Sequence, residues 1–254
     1  MKTISIINLK GGVAKTISSV NIAHILATVH GKKVLIIDND KQGNTSKFFG
    51  ACGENIYKSM ADILTEKDIK ISEAIYKTKY ENLDIIPATM ALLKANLDVM
   101  LDMSRPQQTR LSKALYQIED VYDYCIIDNA PDINISVINA LVTSDDVLIP
   151  IKVDKFAFDG LDLLVEQIEN VREINPNIKL QACFLTMYQK NNVNTQGDEW
   201  IRAQPDYPML DSKIRKTVKV DESTFAQKPL LEYAKNCTAT KDYLELVKEI
   251  LEES

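Results

Sequence analysis

Two lysines, Lys10 and Lys15, bracket the glycine pair Gly11-Gly12 in the run Asn8-Leu9-Lys10-Gly11-Gly12-Val13-Ala14-Lys15-Thr16. A run of this kind can hold a polyphosphate. Glycines let main-chain N–H groups crowd around an anion, and the first turn of a helix leaves its N–H groups unpaired and partly positive. An ammonium group such as that of Lys15 then meets the outer phosphates, and a hydroxyl such as that of Thr16 ligates a divalent cation. The same chemistry needs carboxylates that hold the cation and orient an attacking water. Two runs offer them: Asp38-Asn39-Asp40-Lys41-Gln42-Gly43-Asn44 and Asp128-Asn129-Ala130-Pro131-Asp132. Each Asp alone reads equally as a turn or helix-cap residue. Three such runs in order, each leaving a strand at the end where open α/β sheets bind ligands, point to one site.

The elements that must position these residues follow from the apolar pattern. Short apolar runs at residues 3–8, 33–38, 83–87, 122–128, 146–151 and 178–186 read as strands. Segments of helical period lie at 16–29, 88–103, 107–119, 133–142, 160–174 and 239–253. Their alternation predicts a mainly parallel central sheet flanked by helices on both faces, an α/β class. Residues 43–80 and 191–208 are the least regular. No Gly/Ser linker divides the chain, so residues 1–254 are expected to form a single domain.

A strict G-x-x-x-x-G-K-S/T pattern is not met, because Leu9 and Ala14 stand where its glycines belong. The pattern K-G-G-x-x-K-S/T, with its extra Lys10, resembles the deviant Walker A loop of the ParA/MinD family of P-loop ATPases. The run from Asp38 is similar to that family's D-x-D-P-Q-G-N, with Lys41 for proline. The run ending in Asp128 is similar to its Walker B strand, with Ala130 for a proline of the D-x-P-P turn. The segment Phe156-Ala157-Phe158-Asp159-Gly160-Leu161 and the tail from Ile214 through Lys228-Pro229-Leu230 to Asp242-Tyr243-Leu244 also resemble the family.

The resemblance implies a P-loop NTPase fold, ATP and Mg²⁺ as cofactors, and hydrolysis to ADP and phosphate. Nucleotide would be held by Lys10, Gly11, Gly12, Val13, Ala14, Lys15, Thr16 and Ile17. Metal would be held by Thr16 and Asp128 with Asp38 in support, and the catalytic groups would be Lys10, Lys15 and Asp40, the last placing the water. Lys10 would reach across a homodimer to the partner's nucleotide. Ala14 fits the loop if that position needs no positive φ.

Composition narrows the branch. The 254 residues carry 30 Lys+Arg against 36 Asp+Glu, a net charge of -6 that excludes a constitutive coat on DNA. Cysteines 52, 125, 183 and 237 form no CxxC pair, which argues against a zinc ribbon and for a reducing compartment. The first residues lack a signal-peptide core and no run reaches the roughly 20 apolar residues of a membrane span, so a cytoplasmic, nucleoid-associated protein is expected. The last thirteen residues hold five acids and one lysine. Such a helix is repelled by anionic lipid, which speaks against a MinD-like membrane regulator. The Lys10 signature and the ParA-like tail speak against an ATP-dependent small-molecule synthetase of the dethiobiotin synthetase type. Because the sequence opens on its first strand, no N-terminal helix-turn-helix domain is expected, and the chain looks like the short Soj-like kind of ParA.

By that resemblance it partitions a plasmid or chromosome. The ATP-bound dimer would grip double-stranded DNA without sequence preference, and a ParB-type centromere-binding partner would stimulate hydrolysis. Lys213, Arg215, Lys216 and Lys219, with Lys235 beyond, form a basic cluster that could meet DNA phosphates.

Overall fold

The computed structural model describes residues 1–154 and 160–252. The 156–159 part of the family-like segment therefore lies outside the described residues. Eight strands form one sheet in the order β3-β4-β2-β5-β1-β6-β7-β8. They are β1 (Lys2–Ile6), β2 (Val34–Asn39), β3 (Tyr76–Lys77), β4 (Leu83–Ile86), β5 (Tyr124–Asn129), β6 (Asp146–Lys152), β7 (Lys179–Tyr188) and β8 (Met209–Arg215). All pairings are parallel except that of β3 with β4. The six expected strands are present, and β3 and β8 extend the sheet at its two edges.

The helices are α1 (Lys15–Thr28), α2 (Asn44–Phe48), α3 (Met60–Thr65), α4 (Ala91–Leu101), α5 (Arg110–Leu115), α6 (Ile135–Thr143), α7 (Leu161–Val171), α8 (Asn192–Arg202), α9 (Val218–Phe225), α10 (Leu230–Tyr233) and α11 (Thr238–Glu252). Strand side chains alternate between the two faces. Val34 and Ile36 join a core with α1 and α11, while Leu35 and Ile37 join one with α3, α4 and α5. Burial on both faces explains why these strands read as unbroken apolar runs.

The helix α1 is buried almost all round. Its polar side chains are therefore tied into neighbours: Ser18 Oγ lies 2.9 Å from Tyr243 Oη, and Asn21 Oδ1 accepts from the Leu230 N–H at 2.9 Å. Tyr243, Leu246, Val247 and Ile250 form the buried face of α11, with Leu244 and Leu251 partly buried beside them. The closing helix is thus packed on α1 and β8, as its apolar spacing predicts. No helix among the described residues is long and apolar enough to cross a membrane.

The two irregular stretches hold structure that periodicity does not reveal. Residues 43–80 contain α2 and α3, the latter begun by a capping box in which Ser59 and Asp62 satisfy each other's main-chain and side-chain groups. The polar helix α8 is started by Asn191, whose side chain accepts from the Asn194 N–H.

Candidate functional site

The loop between β1 and α1 opens at the C-terminal edge of the sheet. Its shape is set by main-chain turns at Gly12 (φ 71°) and Ala14 (φ 67°). The left-handed geometry of Ala14 corrects the expectation that this position needs no positive φ: the loop demands it, and the Ala Cβ is accommodated there at some strain. Ala14→Gly is accordingly expected to stabilise the protein by roughly 0.5–1 kcal/mol, since relief of the left-handed strain exceeds the added freedom of the unfolded chain. A urea melt with unchanged or lower stability would refute that strain. From the far side, Thr186 Oγ1 on β7 donates to the Val13 carbonyl at 3.1 Å. Leu9, the other departure from a glycine pattern, packs with the apolar core that includes α7 and approaches Gly160.

Three features make the start of α1 an anion site. Ala14 supplies no side-chain cap, no acid stands in the first turn, and Lys15 stands at its head. The Lys15 side chain is mostly buried and its Nζ donates to the Lys10 carbonyl at 2.9 Å. Burial pulls its pKa below the ordinary lysine value, opposed by the charges of Asp128, Asp40 and Asp132. The Lys10 ammonium pairs with Asp154, two residues past the end of β6, and its main-chain N–H donates to Asn8 Oδ1 at 2.8 Å.

The parallel register of β2 with β5 sets Asp38 beside Asp128 and Asn39 beside Asn129. The asparagines bond directly, Asn39 Nδ2 donating to Asn129 Oδ1 at 2.8 Å. Asp128 is buried, which raises its pKa, and hydroxyls from Thr45, Thr16 and Ser19 steady its ionised form. Thr45 Oγ1 donates to Oδ2 at 2.6 Å and Ser19 Oγ to Oδ1 at 3.2 Å. The Thr16 hydroxyl and Asp128 thus meet, the pair that the metal reading requires. Their hard oxygen donors suit Mg²⁺, which keeps part of its shell as water and phosphate oxygen.

Asp38 is placed differently from the metal-supporting role expected of it. It is fully buried, and its Oδ2 accepts from both the Ser46 N–H at 2.8 Å and the Ser46 hydroxyl at 2.6 Å, while Oδ1 accepts from the Asp40 N–H at 3.2 Å. Its carboxylate therefore shapes the loop that carries Asp40. Burial, with the like charge of Asp128, pushes the Asp38 pKa up to about 7. The folded protein then retains a proton that the unfolded chain releases near pH 4, so this group costs stability as pH rises from about 4 to 7. Asp38→Asn is expected to flatten that fall; denaturant midpoints measured from pH 5 to 8 with the same slope in both proteins would refute it.

Asp40 is part-exposed and lines a cavity of about 580 Å³ together with Gly11, Gly12, Lys15, Thr16 and Ile17. Its Oδ1 accepts from the Gln42 N–H at 2.9 Å. Phe48, Pro131, Met187 and Gln227 line the same cavity further out. Lys41, where the family pattern has proline, lies 3.9 Å from Asp132, so the two acid-bearing loops are also joined by charge.

A family model described as an AAA domain matches residues 1–181. The chain is 34% identical to the sporulation initiation inhibitor protein Soj of Bacillus subtilis over 251 residues, with 98% of each chain covered. It is 33% identical to the chromosome partitioning protein ParA of Caulobacter vibrioides, covering 99% of this chain and 94% of that one. The chain belongs to the ParA/Soj family of P-loop ATPases. Among solved structures, a plasmid partition protein from Borrelia burgdorferi bound to AMPPNP is 26% identical, with a TM-score of 0.79 over 100% of this chain and 99% of that one. The fold is shared more widely: cobyrinic acid a,c-diamide synthase from Mycobacterium smegmatis, solved with an ATP analog and magnesium, superposes with a TM-score of 0.87 at 23% identity over 99% of this chain and 94% of that one.

In this ParA/Soj-type chain three of the five cations of the tail cluster are paired with acids, two of them distant in sequence. Lys213 on β8 meets Asp198 of α8, and Arg215 meets Asp242 of α11 at 2.5 Å. Lys219 lies 2.7 Å from Glu222. Among the described residues no acid pairs with Lys216 or Lys235. The run 213–219 holds no acid because the counter-charges of Lys213 and Arg215 come from α8 and α11, while that of Lys219 lies three residues further along its own helix. Thr45, Ser46 and Ser19 are the site residues that sequence reasoning missed. Their signal is a hydroxyl pair just after Gly43-Asn44 and a serine one turn into α1, where polar residues inside a buried helix need partners.

Proposed function

We propose that this chain is a ParA-type DNA-partition ATPase whose whole length, 1–254, forms one ATPase domain. The observation that carries the reading is the uncapped, lysine-headed start of α1 facing the strand-end acids, in a chain similar to Soj over nearly its full length. In this reading the N–H groups of the loop and Lys15 take the phosphates of ATP, Thr16 and Asp128 hold Mg²⁺, and Asp40 places the attacking water. Mg²⁺, when bound, would neutralise charge developing on the transferred phosphoryl group. Lys10 leaves Asp154 to reach the nucleotide of a partner subunit, which makes dimerisation depend on ATP. Asp38 acts through the loop that carries Asp40.

The dimer then binds double-stranded DNA without sequence preference, and a ParB-type partner stimulates hydrolysis and release, in the cytoplasm at the nucleoid. The ion pairs of Lys213, Arg215 and Lys219 leave Lys216 and Lys235 as the cations of the original cluster with no acid beside them among the described residues. One protomer thus has a weak hold on DNA, and joining two such patches multiplies it. The testing experiment is DNA retention with ADP, ATP and a non-hydrolysable analogue across a salt series. Retention only with ATP or the analogue, falling steeply with salt, is the expected result. Retention indifferent to nucleotide, or ATP turnover that depends on a small metabolite and ignores DNA, would overturn the reading.

A further inference from the structure

A second cavity, of about 410 Å³, lies between the end of α3, the loop that follows α4, and α5, and it shares no lining residue with the cavity at the head of α1. Its volume suits a small ligand. Ile63, Ile69 and Ala114 give it an apolar part, and Lys67, Arg105, Arg110 and Lys113 bring four cations to it. The two guanidiniums are fixed by the protein itself. Arg105 donates to the Thr65 and Glu66 carbonyls at 2.7 and 3.0 Å, and Arg110 to those of Leu64 and Pro106 at 2.9 and 3.2 Å. Carbonyls at the end of α3 have no later turn to bond, which explains why arginines gather there. That capping role occupies only part of each fork. Of the five N–H groups of a guanidinium, two serve carbonyls here and a third meets Asp102 Oδ2, at 3.3 Å from Arg105 and 2.9 Å from Arg110. Two N–H groups remain on each without an acceptor among the described residues, and those of Arg110 belong to a side chain only 5% exposed.

Charge points the same way. One carboxylate, Asp102, answers two guanidiniums, and no acid among the described residues pairs with Lys67 or Lys113. Glu66, also in the lining, is matched by Lys58. With Asp68 of the lining counted beside Asp102, four cations stand against two acids, an excess of two positive charges. The remaining wall is also held: the Gln117 side-chain amide donates to the Ile69 carbonyl at 3.1 Å and accepts from the Ile71 N–H at 3.2 Å.

We propose that this cavity binds a small organic phosphate, its head on the unused N–H groups of Arg105 and Arg110 and its apolar body against Ile63, Ile69 and Ala114. A phosphate monoester carries about −1.5 to −2 charges at neutral pH, which matches the excess, and its oxygens suit the guanidinium fork. A monocarboxylate leaves one of the two charges unanswered. Because the walls are tied down without the ligand, binding costs little ordering.

The experiment is a residue-resolved NMR titration of the nucleotide-free, magnesium-free full chain with phenyl phosphate. The methyl signals of Ile63, Ile69 and Ala114 are expected to shift and saturate, with a dissociation constant below about 1 mM. The amides of Gly11 and Gly12 report the cavity at the head of α1 separately, so phosphate taken up there is not mistaken for this site. Lys113→Glu, at an exposed position, keeps the fold, checked by circular dichroism, and is expected to weaken binding at least about tenfold. Arg105→Lys keeps the charge but not the fork and is expected to weaken it as well; should that variant fail to fold, Lys113→Glu still decides. Benzoate, with the same ring and a single charge, is expected to bind at least about tenfold more weakly than phenyl phosphate. Shifts confined to Gly11 and Gly12, or methyl signals that never saturate, overturn the proposal. So do an affinity unchanged in Lys113→Glu or in a folded Arg105→Lys, and equal affinity for benzoate.

Discussion

Lys15→Ala is expected to weaken ATP binding by more than about 100-fold while leaving the protein folded. The ammonium is the cation at the head of α1, and a buried charge-assisted contact of this kind is worth about 3 kcal/mol when one partner is removed. Its loss is tolerable to the fold because the side chain is held in a partly desolvated position that lowers its pKa, with one main-chain acceptor, the Lys10 carbonyl. Asp128, the acid that faces it, keeps its hydroxyl donors from Thr45, Thr16 and Ser19. Calorimetric titration with ATP and Mg²⁺ tests the point. Wild-type affinity in the variant would remove the loop from the nucleotide site altogether.

Asp40→Ala should do the opposite to the lifetime of the bound state. Its carboxylate reaches the cavity beside Lys15 and Thr16 and is not consumed by a hydroxyl partner as Asp38 and Asp128 are. With Asp40 in its proposed water-orienting role, its loss is expected to cut hydrolysis at least about 100-fold while ATP binding is retained. The ATP-bound dimer would accumulate, and DNA retention would persist under conditions where the wild type lets go. Single-turnover assays separate the steps. Hydrolysis at the wild-type rate would transfer the water-positioning role to another residue.

Much of this arrangement is legible in the sequence because it rests on local rules. Strands buried on both faces announce themselves as apolar runs, and glycine, lysine and aspartate at strand ends mark ligand-binding turns. What escapes is long-range. The strand β8 carries Lys213 and Arg215 among its residues and reads as a charge cluster, since the acids that answer it lie on α8 and α11. The helix α2 is too short to show a period, yet its Thr45 and Ser46 hold the two strand-end acids 128 and 38. The left-handed turn at Ala14 is a geometric demand of the loop that the residue type alone argues against. The register of β2 on β5, which sets Asp38 beside Asp128, is a property of strand pairing that no single run contains.

The bond from Lys15 Nζ to the Lys10 carbonyl bears on timing. One lysine holds the other's backbone. Whatever draws the Lys15 ammonium toward a phosphate takes away a donor that fixes residue 10, at the moment when, in the proposed cycle, the Lys10 side chain would exchange Asp154 for a new counter-charge. In the proposed cycle, capture inside one subunit would thus come before any reach toward a second, and a single hydrogen bond would set the order of the two events.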